Sequence, residues 1–230
     1  MIITGSQGFI GSYLVREFEA EPIDKKLGKD ILDCDLPNTD VIIHLAAQTS
    51  VIDSIKDPQY DALNNIIGTI RLAKRYRNTR FIFASSGGAI QEKIESPYGL
   101  SKFCAEEYIK MLCNDYVILR FPNIYGQGSH SVVDKFINGD VEIYGDGSST
   151  RDYVHVSDLI RAIKMSLHWP TGTYSLGSEK SVPVLDLAKA TGKTIKFADR
   201  IEGELQYSQV PNNTSWKPKI DVINYIKENV

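Results

Sequence analysis

Four short apolar runs punctuate the first half of the chain: Met1–Thr4, Val41–Leu45, Arg80–Ser85 and Val117–Phe121. Each is nearly continuous rather than alternating, the pattern of strands covered on both faces. Between them, Phe9–Phe18, Gln59–Tyr76 and Tyr98–Cys113 repeat apolar residues at helical spacing. Strand and helix in alternation predict an α/β fold, a doubly wound parallel sheet with helices on both faces. The second half is less regular. Turn-rich pieces at Tyr125-Gly126-Gln127-Gly128 and Gly145-Asp146-Gly147-Ser148 break it up, and helices are predicted over Val156–Leu167, Val184–Thr191 and Asp221–Glu228. The expected organisation is a sheet domain over residues 1–126 and 151–175, with a small C-terminal lobe over 127–150 and 176–230.

Composition removes several alternatives. A length of 230 residues lies between one large domain and two small ones, long enough for a substantial core. With a formal net charge of -3 and no cluster of basic residues, nothing suits a phosphate backbone, so no nucleic-acid partner is expected. Cys34, Cys104 and Cys113 are too few and too odd in number for a disulfide framework, and no Cys-x-x-Cys or His-x-x-x-His spacing offers a metal site. Apolar stretches such as Val41–Ala47 are far too short to span a bilayer. Met1-Ile2-Ile3-Thr4-Gly5 reads as a first strand rather than a signal peptide, so the expected location is the cytoplasm, away from any membrane.

Thr4-Gly5-Ser6-Gln7-Gly8-Phe9-Ile10-Gly11 ends a predicted strand and begins a predicted helix. Gly5 permits the tight turn, Gly8 lets the backbone approach a pyrophosphate, and Gly11 lets helix and strand pack closely. The helix start at Phe9 and Ile10 then offers unpaired N–H groups to an anion. In this context the glycines predict a dinucleotide site. A ribose-binding acid belongs about 20 residues beyond them. Asp24, after Pro22-Ile23, stands nearest; Lys25 and Lys26 follow at once and suit a 2′-phosphate, and a solvated turn fits the same residues. NAD is the expected cofactor, with NADP as the alternative.

Tyr98 and Lys102 lie four residues apart in Ser96-Pro97-Tyr98-Gly99-Leu100-Ser101-Lys102, with Pro97 suited to the first helical turn. On that helix they share one face. A free tyrosine, with a pKa near 10, is a poor base at neutral pH; lowering it there takes about 4 kcal/mol of preferential stabilisation of the phenolate. A neighbouring ammonium and an oxidised nicotinamide both act in that direction. Phe81-Ile82-Phe83-Ala84-Ser85-Ser86 is a strand ending in serine, at the carboxyl end where parallel sheets place ligand-contacting residues. Ser86 there suits the orientation of a substrate oxygen against Tyr98.

With these pieces in order the chain resembles the extended short-chain dehydrogenases/reductases of the nucleotide-sugar epimerase/dehydratase family. The resemblance is carried by Thr4–Gly11, His44-Leu45-Ala46-Ala47, Asn64-Asn65-Ile66-Ile67-Gly68-Thr69, Ala84-Ser85-Ser86, Ser96–Lys102, Arg120-Phe121-Pro122-Asn123-Ile124-Tyr125-Gly126 and Gly145–Val156. Ser215-Trp216-Lys217-Pro218 is similar to the family's closing motif. The resemblance implies a Rossmann-type sheet with a small C-terminal substrate-binding lobe. It implies that Gly5, Gly8 and Gly11 hold the pyrophosphate, that Asp30-Ile31 flank adenine, that Leu45, Ala46 and Ala47 line the cofactor, and that Asn64 or Asn65 lies near the nicotinamide ribose or anchors its helix. Tyr98 becomes the base, Lys102 its partner and ribose ligand, and Ser86 the substrate-orienting hydroxyl. Asn123 touches the sugar or its diphosphate, Arg151 clamps the diphosphate, and Tyr144 stacks on the nucleotide base or packs as an ordinary aromatic. Asp152 and His155 brace the loop. Arg200 and Glu204 resemble, one residue out of register, a later phosphate- and ribose-binding pair. The helices Gln59–Tyr76 and Tyr98–Cys113 pair across a two-fold axis in such proteins, so a homodimer is expected.

The chain also departs from the family, whose members usually exceed 300 residues. The stretch between Gly11 and Asp30 is trimmed, so a stunted second strand and crossover are expected, and only eleven residues separate Ser86 from Tyr98. Gly87-Gly88 stand where the sugar 4,6-dehydratases carry an Asp-Glu pair, and glycine cannot do that acid–base work. The 3,5-epimerase/reductases place a cysteine just after the serine; here only His130 remains of their acid–base pair. The resemblance therefore implies first an NAD-dependent nucleotide-sugar 4-epimerase, with a nucleotide-diphosphate sugar as substrate. Second comes an NAD(P)H-dependent reductase of 4-keto sugars, and third a module that senses NAD(P) without turnover.

Overall fold

The computed structural model describes residues 1–90, 92, 94–199 and 207–230. Its strands are Ile2–Thr4 (β1), Glu21–Ile23 (β2), Val41–His44 (β3), Arg80–Ser86 (β4), Tyr116–Phe121 (β5) and Asn123–Tyr125 (β6). Val141–Tyr144 (β7), Thr150–His155 (β8), Gly172–Ser175 (β9), Ser181–Pro183 (β10), Ile195–Ala198 (β11) and Tyr207–Ser208 (β12) follow. The helices are Phe9–Glu17 (α1), Val51–Lys56 (α2), Pro58–Ala62 (α3), Gly68–Arg75 (α4), Pro97–Leu112 (α5), Val132–Asn138 (α6), Val156–Ser166 (α7), Val184–Ala190 (α8) and Val222–Asn229 (α9). A π-helical turn over Leu63–Ile67 joins α3 to α4.

Residues 1–120 and 163–174 form one compact unit, and residues 121–162 and 175–230 a second. This differs from the boundaries expected at 126, 151 and 175. Residues 151–162 fall in the second unit because β8 pairs with β6, β10 and β12 there.

The first unit is built on a six-stranded sheet in the order β2-β1-β3-β4-β5-β9. β1 pairs in parallel with β2 and β3, and β3 with β4. The near-continuous apolar runs are explained by two-sided burial: Ile2, Ile3, Ile42, Ile43, Phe81, Ile82 and Phe83 are all buried. On one face Ile2, Ile42, Phe81 and Phe83 pack with Leu72 of α4 and Ala105 and Ile109 of α5. The chain leaves β1 for β2 on one side and returns to β3 on the other, so the switch point of this Rossmann-type sheet lies at the carboxyl ends of β1 and β3.

The trimmed region after β2 is short in structure as well. The link to β3 contains a single 3₁₀ turn, Lys25–Leu27, where a crossover helix is usual. Its loop is pinned from α4 instead. Arg71 donates to the carbonyls of Ile31 at 2.6 Å and Cys34 at 2.7 Å. Ile31 is buried against Gly68, where a Cβ would come within 2.7 Å of its side chain.

The second unit has its own core, in which Val133 and Phe136 of α6, Val141 and Ile143 of β7, Leu187 of α8 and Ile226 of α9 are buried together. β11 pairs in parallel with β7. Asp158, in the first turn of α7, accepts from the N–H groups of Lys219 at 2.7 Å and Ile220 at 2.9 Å. This anchors the chain just after the buried Trp216.

Candidate active site

In the first unit, Gly5 caps β1 with φ of +68°, and a Cβ there would lie 2.7 Å from the backbone nitrogen of Ala46. Gly11 approaches more closely still, for a Cβ on it would stand 2.1 Å from Gly5 O. The turn and the start of α1 are thus backbone packed on backbone, open only to glycine. Gly8 is the N-cap of α1, and no side chain caps the helix. Its first N–H groups therefore face an anion site without competition, and the buried hydroxyl of Ser6 in the same turn has no partner among the described residues. This cradle fits the pyrophosphate of a dinucleotide, with Phe9 and Ile10 supplying first-turn N–H groups.

The other predicted cofactor residues lie around this turn. Thr4 Oγ1 accepts from the N–H groups of Leu45 and Ala46, both at 3.2 Å, and bonds His44 Nδ1 at 2.7 Å, tying the ends of β1 and β3 together. Ala47 follows in the same partly buried segment. Asp24 accepts from Gln7 N and Lys26 N, each at 2.9 Å, so its carboxylate braces the glycine turn. Lys25 reaches Asn64 Oδ1 at 2.6 Å and Asp30 at 3.2 Å. Asn64 and Asn65 are both buried, and both act as anchors. Asn65 accepts from Gln48 N at 2.9 Å and donates to Gln48 O and to Ser101 Oγ, each at 3.0 Å.

Ser96 caps α5 by accepting from Gly99 N at 3.1 Å, and Pro97 occupies its first turn. The helix therefore starts where Tyr98 and Lys102 share one face. Tyr98 is half-buried, and burial pushes its phenol up to about 12, against a hydrogen bond from Ser86 that favours the anion. The structure thus brings Ser86, at the end of β4, to Tyr98. Lys102 is buried with its Nζ 4.2 Å over the ring of Phe83, and burial brings its ammonium down to about 7. Loss of water is the first cause of both shifts, and it drives the two proton affinities apart, the phenol upward and the ammonium downward.

In the second unit, Asn123, Tyr144 and Arg151 line one cavity of about 580 Å³. β6 and β7 deliver the first two, and β8 carries Arg151. Asn123 donates to the carbonyl of Asp152 at 3.1 Å. Asp152 is fully buried and accepts from Ser178 N at 3.0 Å, Ser178 Oγ at 2.6 Å and Val210 N at 3.2 Å, which makes it a brace. His155 accepts from Ser157 N at 3.2 Å and packs on Tyr125 and Tyr225. Tyr144 stands 44% exposed at the cavity, its hydroxyl on Glu142 at 3.2 Å, so its ring face is available for stacking.

Residues 1–177 match the model of the NAD dependent epimerase/dehydratase family. The chain belongs to that family. Among the relatives of this epimerase/dehydratase family member is a Methanocaldococcus jannaschii protein provisionally named a UDP-glucose 4-epimerase. It is 32% identical over 301 positions that take in 100% of this chain and 99% of the relative. The UDP-glucose 4-epimerase of Thermotoga maritima, solved with UDP-glucose, superposes with a TM-score of 0.86 at 27% identity, over 99% of this chain and 96% of that one. The Thermus thermophilus enzyme of the same name, solved with NAD, gives 0.84 at 26% identity over the same shares. An alignment of 301 positions against 230 residues means that this chain is trimmed internally along its length.

Two features of this family member were missed in the sequence. Lys135 and Lys196 line the same cavity as Arg151, together with Asp140 and Glu142, so the lining carries more charged groups of both signs than Arg151 alone suggested. Lys196 sits in a four-residue strand whose partner, β7, lies more than 50 residues away, and no local pattern reports that. Asp61 is buried among the helices beside Lys102. Its spacing of four from Asn65 was the available signal, since residues at i and i+4 meet on a helix. Arg200 and Glu204 lie outside the described residues.

Proposed function

We propose that this chain is an NAD-dependent nucleotide-sugar 4-epimerase acting on a UDP-linked hexose, with Tyr98 as the proton acceptor. The observation that carries the reading is the pairing of an uncapped glycine cradle with Ser86, Tyr98 and Lys102 in one unit, without any added acid or base beside Ser86. Gly5, Gly8 and Gly11 hold the pyrophosphate, and Lys102 holds the nicotinamide ribose. Bound NAD supplies a hydride acceptor and a positive ring charge. Tyr98 takes the proton of the sugar 4-hydroxyl and returns it after the keto sugar has turned, while Ser86 holds the oxygen in line. Arg151 binds the diphosphate, for which its planar fork is suited, and Tyr144 stacks on the base.

The reading includes a homodimer. Leu63 and Ile67 of the π-helical turn and Leu100 and Met111 of α5 are exposed apolar residues on the helices expected to pair, and Ile52 and Ile55 of the neighbouring α2 are exposed as well. Such a concentration on one helical layer suits a second copy of the same surface. It also includes a cytoplasmic location: no described helix is long and apolar enough to cross a membrane, and the cysteines are free.

Denaturing freshly purified protein and measuring the released nucleotide tests the reaction. An epimerase returns the hydride it took, so near-stoichiometric NAD and interconversion of UDP-glucose with its C4 epimer without added cofactor are expected. Empty protein that consumes NADPH with a 4-keto sugar would replace the epimerase with a reductase.

A further inference from the structure

Asp61 lies on α3 with 1% of its surface exposed. One oxygen accepts from Asn65 Nδ2 at 3.0 Å, and the other has no hydrogen-bond partner among the described residues. An orphaned buried carboxylate oxygen is costly and calls for an electrostatic reason. The same Asn65 amide donates to Ser101 Oγ at 3.0 Å, and Ser101 donates on to the carbonyl of Tyr98 at 3.0 Å. Asp61 is therefore tied by two side chains to the first turn of α5, which carries Tyr98 and Lys102.

The charges around Lys102 leave Asp61 a distinct part. Glu106, four residues further on α5, is fully buried but already committed, since both its oxygens accept from Arg120 of β5 and one from Ser85. His44 of β3 is neutral, its burial lowering it to about 3. On α2, Asp53 and Lys56 are exposed and pair with each other, and Asp57 is taken up in capping α3. On α4, Arg71 and Arg75 are turned to carbonyls of residues 31–36. Lys102 itself makes no ion pair among the described residues. Glu106 and Asp61 both act on Lys102, Glu106 the more strongly, but Glu106 is neutralised by Arg120 whereas Asp61 has no cation paired to it among the described residues. The field of Asp61 raises the proton affinity of both Lys102 and Tyr98. Burial in turn raises Asp61 above the usual carboxylate range, opposed by Ser101 and Lys102.

We propose that Asp61 is a positioning residue of the Tyr98–Lys102 pair: its buried carboxylate is the unneutralised counter-charge of the Lys102 ammonium and, through Asn65 and Ser101, fixes the start of the helix that carries both groups. The inference rests on the reading above, in which Tyr98 and Lys102 do the chemistry. A negative charge beside two groups that lose protons holds both protons on. Removing it moves both losses to lower pH.

The test is the pH profile of kcat for NAD-loaded wild-type, Asp61→Asn, Asp61→Glu and Tyr98→Phe proteins. Asp61→Asn keeps an oxygen for Asn65 and loses only the charge. Both limbs of its profile are expected to move to lower pH, by about one pH unit for a charge at this range, and Asp61→Glu is expected to restore them. A profile that merely falls in height, with its limbs in place, overturns the assignment of Asp61. An active Tyr98→Phe overturns the catalytic reading instead, so the two failures are distinct. Should Asp61→Asn not fold, the carboxyl ¹³C titration of Asp61 carries the same question. Its midpoint is expected to rise in Lys102→Met, and an unchanged midpoint overturns the coupling.

Discussion

Lys102 holds its ammonium 4.2 Å above the ring of Phe83, with 3% of its surface exposed and no ion pair among the described residues. A cation–π contact returns only about 2 kcal/mol in a desolvated site. Taking an ammonium out of water costs more than that. The burial therefore costs stability, and the direction of its pKa says so. The folded value falls to about 7 from 10.5. Between those values the unfolded chain binds more protons than the folded one, so this group makes stability rise as pH rises from about 7 towards 10.5. Lys102→Met is expected to stabilise the cofactor-free protein. The gain in melting temperature should be fullest below pH 7 and shrink as pH climbs. A gain independent of pH would mean that the lysine holds its proton equally well folded and unfolded, so that burial has not lowered its proton affinity.

Tyr98→Phe removes a hydroxyl and no packing. It is expected to fold and to retain NAD, yet to lose ~10²–10⁴-fold in kcat, the usual contribution of a general base. Steady-state turnover of the UDP-sugar decides it: more than about a tenth of wild-type kcat would take Tyr98 out of its role.

Gly11→Ala is expected to fail in a different way. Its new methyl carbon would stand 2.1 Å from Gly5 O and 2.8 Å from Ser6 Cα, both backbone atoms. Strand and helix would have to separate at the cradle, at a cost of ~3 kcal/mol. A lower urea midpoint together with loss of copurifying NAD is the expected pair of results. A stable protein with full NAD content would contradict the close packing.

The parts of this molecule written in local patterns were legible in the sequence. Ile2–Thr4, Val41–His44, Arg80–Ser86 and Tyr116–Phe121 form strands where two-sided apolar runs predict them. Pro97 starts α5 one residue before Tyr98. The second unit was less legible because its strands are two to six residues long and find their partners far along the chain, as Val182 does on Arg151 and Asn123 on Tyr153. Helix α2 was missed because Val51, Ile52 and Ile55 are exposed, so its apolar residues do not mark a buried stripe. Asp61 was missed for a related reason: an acid in the middle of a helix reads as solvated, and only the packing of α3 on α5 buries it.

Arg71 tests how the trimmed crossover is held. It supplies two charge-assisted bonds to the carbonyls of Ile31 and Cys34, in place of the donors a crossover helix would provide. Arg71→Met keeps most of the stem and leaves both carbonyls unmet. A loss of ~2–3 kcal/mol in unfolding free energy is expected, read by urea denaturation. A variant within 0.5 kcal/mol of wild type, about the noise of a neutral surface change, would show that water satisfies this loop equally well.

The cavity of the second unit gives the last prediction. Asn123, Tyr144, Lys135, Lys196 and Arg151 line it together, but their cations are not equivalent. Lys196 is already paired with Asp140 at 2.8 Å, on an exposed edge. Arg151 lies in β8, held in register on both sides by Val182 of β10 and Ser208 of β12. Its guanidinium donates to the carbonyl of Thr150 at 2.9 Å, which limits the freedom left to lose on meeting a diphosphate, and its fork matches two oxygens at once. Arg151→Ala is therefore expected to weaken binding of UDP-glucose by ~2 kcal/mol or more, measured calorimetrically, while Lys196→Ala should change it by well under ~1 kcal/mol. NAD content should stay the same in both, because the glycine cradle lies in the other unit. Equal affinity of Arg151→Ala and wild type would remove Arg151 from the site. A larger loss from Lys196→Ala than from Arg151→Ala would assign the diphosphate to the opposite wall of the cavity.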